Sequence, residues 1–390
     1  ADGTLFRYAF ATTASCSASR SVVLTGLHNH RNGHYGHLHS YHKFSSFPWV
    51  KTLPVLLTKA GYRTARVGKH HNGPEEVYFF EEKIKANSRS TVEMANNCEA
   101  FIKAESDKPF FLYYATSDPH RGGGVATELP HKPNRFGNKP NKGAYPGVKE
   151  VFHDPAKVNV PPFLPDTPET RAELAQYYQS TSRVDQGLGR LVEILKKNGK
   201  WENTIIIFTS DHGEQMGDHS ILGKTLMYEE SVKVPLLLRV PAFGRQMKKI
   251  EGNISHIDLL PTLLELMGEP VPGDLQGESR LSVLEGNDTL VGNDVFIEWN
   301  GSDGHHPRSI GEAEVNRSMA QPLRTVVTAE RWKLNLYESG PGELYDLNID
   351  PHEMENLYDR AEHQARVLDL AGRIARWQKR TGDQVSLPSL

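Results

Sequence analysis

Cysteine is nearly absent. Cys16 and Cys98 are the only two in 390 residues, so a disulfide framework is excluded as the source of stability. Long apolar runs are missing too. No stretch reaches the roughly 18 apolar residues that a membrane-spanning helix needs. The first residues, Ala1 to Phe6, lack the basic and apolar regions of a signal peptide and lack an initiator Met, so the chain reads as an internal start. Neither sign of charge dominates. The net charge of −3, from 45 Lys and Arg against 48 Asp and Glu, argues against a nucleic-acid binder working through bulk charge. No internal repeat and no low-complexity tract occurs, which removes solenoids and tails. What remains is a soluble globular chain long enough for one large or two unequal domains.

The most informative stretch begins at Cys16. Small and hydroxyl residues precede it, Val22, Val23 and Leu24 give an apolar run, and Gly26 is a natural helix stop. The pattern predicts a helix over 17–25 with Cys16 at its N-terminus, where unpaired N–H groups and the dipole favour an anion. Arg20, four residues on, projects from the same face. The plainer reading is a small buried thiol beside a solvated arginine.

Further along, helices are expected over 52–60, 90–105, 170–198, 256–267 and 360–380. Strands are expected over 62–67, 109–115, 204–209 and 234–240. Three of these strands run into polar clusters: Lys69 and His71, Asp118 and His120, then Asp211 and His212, with Lys224 beyond. Lys69 and His71 alternate on what reads as extended backbone, so both can point one way. Residues 122–168 read as an irregular surface excursion. The alternation predicts an α/β fold, a mainly parallel sheet sandwiched by helices. Near residue 290 the pattern changes to short strands at 295–299, 324–328, 332–337 and 343–346, a small antiparallel subdomain. The expected domains are therefore 1–290 and 291–390.

Six of the 18 histidines, His28, His30, His34, His37, His39 and His42, crowd one loop. Their spacing fits no single helical face and no nearby carboxylate completes a hard-metal site. Lining the pocket of an anionic substrate suits His37 and His39 better.

The string Cys16-Ser17-Ala18-Ser19-Arg20 with Leu24-Thr25-Gly26 resembles the signature of the formylglycine sulfatases, with Ala18 where that family most often has Pro. Gly68-Lys69-His70-His71, Asp118-Pro119-His120-Arg121 and Thr209-Ser210-Asp211-His212-Gly213 also match. Up to Gly213 the likeness is to the sulfamidase (heparan N-sulfatase) branch, through residues 30–33, 42–44, 73–75 and 183–187. Beyond it, Gly217-Asp218-His219 and Gly223-Lys224 look more like the glycan O-sulfatases. Glu343-Leu344-Tyr345-Asp346-Leu347, Asp350-Pro351 and Glu355-Asn356-Leu357 resemble the family's C-terminal signature.

The resemblance implies an alkaline-phosphatase-like fold and hydrolysis of sulfate esters or sulfamates of a sulfated glycan. It implies that a maturation enzyme oxidises Cys16 to formylglycine, whose hydrate attacks sulfur, and that a divalent metal, Ca²⁺, assists. Asp211, His212 and residue 16 are the implied metal ligands. Arg20 and Lys69 would neutralise charge, His120 or Lys224 would act as general acid, and His71 would take the second hydroxyl's proton. Asp118, His37 and His39 would bind substrate. The family's metal-binding Asp-Asp pair belongs to a strand upstream of the residues present here. The implied location is periplasmic, secreted or lysosomal. Two alternatives stay open: a non-catalytic sulfoglycan-binding relic, and a phosphomonoester or phosphonate hydrolase of the same superfamily.

Overall fold

The computed structural model describes residues 3–39, 43–122, 135–140, 143–244, 247–301 and 313–388; His42 lies outside them. Strand β1 (Gly3–Phe10) leads into helix α1 (Cys16–Thr25), followed by α2 (Asn29–Asn32) and α3 (Leu53–Lys59). Next come β2 (Arg63–Gly68), β3 (Glu82–Ile84), α4 (Thr91–Lys103), β4 (Phe110–Ala115) and the long α5 (Pro168–Lys197). Then follow β5 (Ile206–Thr209), α6 (Glu229–Val232), β6 (Lys233–Arg239), β7 (Met247–Ser255), α7 (Leu259–Leu266) and α8 (Leu281–Glu285). The chain ends with β8 (Val295–Asn300), α9 (Ala313–Ala320), β9 (Pro322–Val327), β10 (Trp332–Tyr337), β11 (Glu343–Asp346) and α10 (Gln364–Thr381). No helix among the described residues is long and apolar enough to cross a membrane.

Two compact units result. One comprises Ala1–Leu53, His71–Tyr78 and Ile205–Leu390; the other comprises Pro54–His70 and Phe79–Thr204. In the first unit a four-stranded sheet has the order β5-β6-β1-β7. β1 and β7 are parallel, and β6 runs antiparallel to both of its neighbours. The sheet is thus mainly parallel, with β6 the exception. Only the single turn of α6 and 3₁₀ turns separate β5 from β6, too little helix for a parallel crossover.

β1 was not anticipated, although Phe6, Tyr8 and Phe10 alternate with the strand period of two. Phe6 packs with Leu236, Leu238, Ile254 and Leu259, while Phe10 packs with Trp299, Leu323 and Val327. Each such ring is worth about 1.5–3 kcal/mol of burial. The antiparallel sheet, ordered β11-β10-β9-β8, is covered by α10. Val367, Leu370, Ile374 and Trp377 recur at helical spacing and are all buried.

A buried ion network fastens the chain end. Arg324 on β9 is fully buried and holds Asp383, just past α10, with two bonds of 2.7 Å. Glu298 on β8 holds His30 Nδ1 at 2.8 Å. Trp377 Nε1 donates to His28 Nε2 at 3.2 Å. Burial pushes His28 down to about 3. Burial opposes charge on His30 as well, yet Glu298 raises its pKa overall. Glu298 falls to about 2 because His30 and Arg324 outweigh its burial.

The second unit carries a parallel sheet ordered β3-β2-β4 with α4 and α5 packed together. Thr167 caps α5 through the N–H of Thr170, and Pro168 occupies the first turn. Gly187 lets α5 approach α4, since a Cβ there would stand 2.6 Å from Thr91 Cβ. Cys98 is buried on α4, and burial pushes its thiol up to about 12.

The His30–Glu298 pair makes stability pH-dependent. His30, raised, contributes fully below its ordinary 6.5 and loses that contribution as pH rises through its folded value. Glu298, lowered, contributes above its ordinary 4.5 and loses that as pH falls through about 2. E298Q is therefore expected to cost about 3–5 kcal/mol near pH 5.5, read from urea unfolding, with the deficit narrowing near pH 8.5.

Candidate active site

Cys16 opens α1, and Ser15 before it is extended. Gly26 stops the helix in the left-handed conformation, its N–H donating to Val22 O. Cys16 is 2 % exposed. Lys224 Nζ lies 3.0 Å from Cys16 Sγ and His212 Nε2 lies 3.1 Å from it. His212 Nδ1 is 2.7 Å from the Gly213 carbonyl. A carbonyl only accepts, so Nδ1 donates there and Nε2 is the nitrogen turned toward residue 16.

Arg20 Nε donates to Asp211 Oδ2 at 2.8 Å, and both groups are largely buried. Ser19 Oγ donates to the Asp211 carbonyl. One helical turn of α1 is thus fixed to the end of β5 by a side-chain ion pair and a backbone contact. Behind that strand end, His256 Nε2 meets Thr209 Oγ1 at 3.0 Å, and burial lowers its pKa to about 4. Ser19 and His256 were missed. Ser19 stood within the Cys16 string, whereas His256 read only as the start of a helix.

The histidine loop reaches the same turn. His37 Nδ1 is 3.4 Å from Ser15 Oγ, Leu38 N–H donates to Ser17 Oγ at 3.3 Å, and Asn72 Nδ2 donates to Ser17 O at 3.1 Å. His39 Nδ1 and His71 Nε2 are 2.6 Å apart. His34 is buried beneath, its pKa lowered to about 4 by burial and then by His71. The extended run expected from Lys69 to His71 is broken, because His71 takes a φ of +63°. That residue turns the chain instead of continuing the alternation.

Lys69 and the Asp118–Arg121 segment belong to the second unit. Lys69 N–H donates to Ala115 O at 2.7 Å. Gly68 beside it is obligatory: its φ is +82°, and a Cβ would stand 2.1 Å from Ala115 O. His120 N–H donates to Ser117 O, and its own carbonyl accepts from Arg89 at 2.8 Å. Asp118 was expected to face substrate. Its carboxylate is instead fully buried between Arg89 and Arg183, with Arg183 Nε at 2.8 Å.

Ligand atoms of Cys16, Asp211 and His212 all lie within 4.8 Å of one another. One carboxylate, one imidazole and one sulfur do not by themselves make a calcium cage of six to eight oxygens. These residues alone therefore do not fit that ion. The arrangement surrounds residue 16 with a buried helix start, an ammonium donor, an imidazole nitrogen and a guanidinium–carboxylate pair, a setting that favours a developing negative charge.

The family model described as Sulfatase matches residues 1–269. A second, for the C-terminal region of N-sulphoglucosamine sulphohydrolase, matches residues 217–380, so the likeness to that branch does not fade beyond Gly213 as expected. Human N-sulphoglucosamine sulphohydrolase is 33% identical, over 97% of this chain and 84% of its own. The N-acetylglucosamine-6-O-sulfatase of Bacteroides thetaiotaomicron is 24% identical, over 98% and 81%. Among solved structures, a putative sulfatase from Bacteroides thetaiotaomicron aligns at a TM-score of 0.76 with 21% identity, covering 100% of this chain and 88% of that one. The phosphonate monoester hydrolase of Agrobacterium radiobacter aligns at 0.70 with 23% identity, covering 97% and 89%. At those identities the solved structures speak for the fold.

Asp118 gives a direct test of its role. D118N strands Arg183 in the interior, so unfolding free energy is expected to fall by about 3–5 kcal/mol while KM of the folded enzyme stays put. A raised KM with stability intact would instead mean that the carboxylate meets ligand.

Proposed function

Because the chain belongs to the sulfatase family, whose members are sulfuric ester hydrolases, we propose that it hydrolyses the N-sulfate (sulfamate) group of a glucosamine-containing sulfated glycan such as heparan sulfate. Residues 1–290 would form the catalytic domain and 291–390 a small C-terminal subdomain. The observation that carries the reading is the buried start of α1, where Lys224 and His212 converge on Cys16 at 3.0 and 3.1 Å. A sulfate-ester substrate is the second reading, favoured by the 24% identity to the 6-O-sulfatase of Bacteroides thetaiotaomicron.

Oxidised to formylglycine by a maturation enzyme and hydrated, residue 16 would supply one hydroxyl to attack sulfur and a second whose deprotonation releases sulfate. The N-terminal N–H groups of α1 favour the oxyanion that forms there. Lys224 Nζ donates a hydrogen bond to the reacting oxygen and shields its charge. His71 would take the proton of the second hydroxyl. Asp211 would hold the Arg20 guanidinium beside residue 16, where its positive charge favours the anion. His71, His37 and His39 line the approach along the adjoining loop. Lys69 and His120, from the second unit, would neutralise the leaving anion and protonate the leaving nitrogen or oxygen. Asp118 would position Arg89 and Arg183. The family resemblance implies a divalent metal, Ca²⁺, beside Asp211 and His212; these residues alone do not make its cage, and no step is routed through it. The same chemistry suits a periplasmic, secreted or lysosomal setting.

Intact mass of the protein from its native host is expected to fall about 18 Da below the thiol form. K224A is expected to lower kcat on the order of 10²- to 10³-fold, in proportion to the loss of one oxyanion donor. A free thiol at residue 16 in protein that still releases sulfate would sink the reading.

A further inference from the structure

Residues 3–74 contain no Asp or Glu but nine Lys and Arg, in a chain whose net charge is −3. Such a stretch offers a polyanion attraction without local like-charge repulsion. Within it the first unit exposes two aromatic rings. Phe47 is 37 % exposed and Trp49 is 48 % exposed. Their planes are 20° apart with centroids at 6.0 Å, so the two rings are nearly parallel and stack on one another. The Arg31 guanidinium lies 5.1 Å from the Trp49 ring centroid, and Lys51 beside them is exposed.

This surface is preorganised. Phe47 N–H donates to Asn32 O at 2.9 Å. Its ring closes over Gly33, where a Cβ would come within 2.9 Å, and meets the edge of Tyr35. Asn32 Nδ2 in turn donates to Ser21 Oγ on α1 at 3.0 Å. The surface also adjoins the site. Ser46 N–H donates to Gly73 O at 2.8 Å, and Gly73 is two residues from His71, at most roughly 7 Å of chain.

We propose that Phe47, Trp49 and Arg31 form an outer subsite for a further sugar ring of an anionic oligosaccharide. The apolar C–H face of the pyranose packs on the exposed part of Trp49, which Phe47 backs, and Arg31 with Lys51 pairs a carboxylate or sulfate on that ring. The occupant follows from the combination: an exposed aromatic ring suits a sugar face, and the exposed cations Arg31 and Lys51 suit an acidic one. The inference rests on the glycan reading above and deepens it, since it makes an oligosaccharide, not a monosaccharide, the preferred substrate.

The test compares wild type, W49A and R31A on an N-sulfated glucosamine monosaccharide and on a tetrasaccharide of alternating N-sulfated glucosamine and uronic acid. W49A and R31A are expected to lower kcat/KM on the tetrasaccharide about three- to tenfold, through KM, and to leave the monosaccharide unchanged. Equal losses on both, or no loss on the tetrasaccharide, would overturn the subsite. A second arm measures calorimetric binding of an N-acetylated tetrasaccharide with the same uronic acids, which offers no sulfamate to cleave. Binding weakened in W49A supports the subsite even if no sulfate release is seen, in which case the catalytic reading alone fails. Sedimentation completes the set: a wild-type dimer that W49A dissociates would make the patch a subunit contact and overturn the proposal. Trp49 is a surface residue, so matched melting curves check that the variants fold.

Discussion

The candidate site depends on one buried ion pair. Arg20 and Asp211 are 191 residues apart in sequence and 2.8 Å apart in space. Removing either partner would leave a charge stranded away from water, which is far costlier than the pair is worth. The pair therefore acts as a register mark. It sets the first turn of α1 against the end of β5, and Ser19 repeats the instruction through the Asp211 carbonyl. Once that register is fixed, His212 has one place to go, and Lys224 meets residue 16 from the loop that follows.

Burial then decides which histidines can carry charge. His28, His34 and His256 are all driven toward neutrality because the surrounding interior cannot hydrate a cation. His30 escapes through Glu298, and the ring stays near an anion that is itself pinned by Arg324. A loop that looks uniform in composition is thus divided between structural rings and rings at the helix start.

Much of this was legible beforehand, for physical reasons. The helix start at Cys16, its stop at Gly26 and strands 332–337 and 343–346 follow from local chemistry that tertiary structure did not override. β7 was hidden because Met247-Lys248-Lys249 reads as surface; it is held by pairing with β1, which no local pattern encodes. The setting of Asp118 was not legible, because an acidic residue at a strand end looks like a ligand holder until its two arginines, 29 residues before it and 65 after it, are placed beside it. His71 escaped the expected alternation because a left-handed residue is invisible to a period-two count.

The residue that opens α1 emerges from the ribosome long before its neighbours. Cys16 is 2 % exposed once the fold is complete, but the groups that enclose it, His212 and Lys224, are 196 and 208 residues later in the chain. A maturation enzyme of the kind proposed would therefore act within an interval set by translation and closure. After that residue 16 is enclosed, and slow synthesis or delayed closure would lengthen the opportunity while fast folding would shorten it.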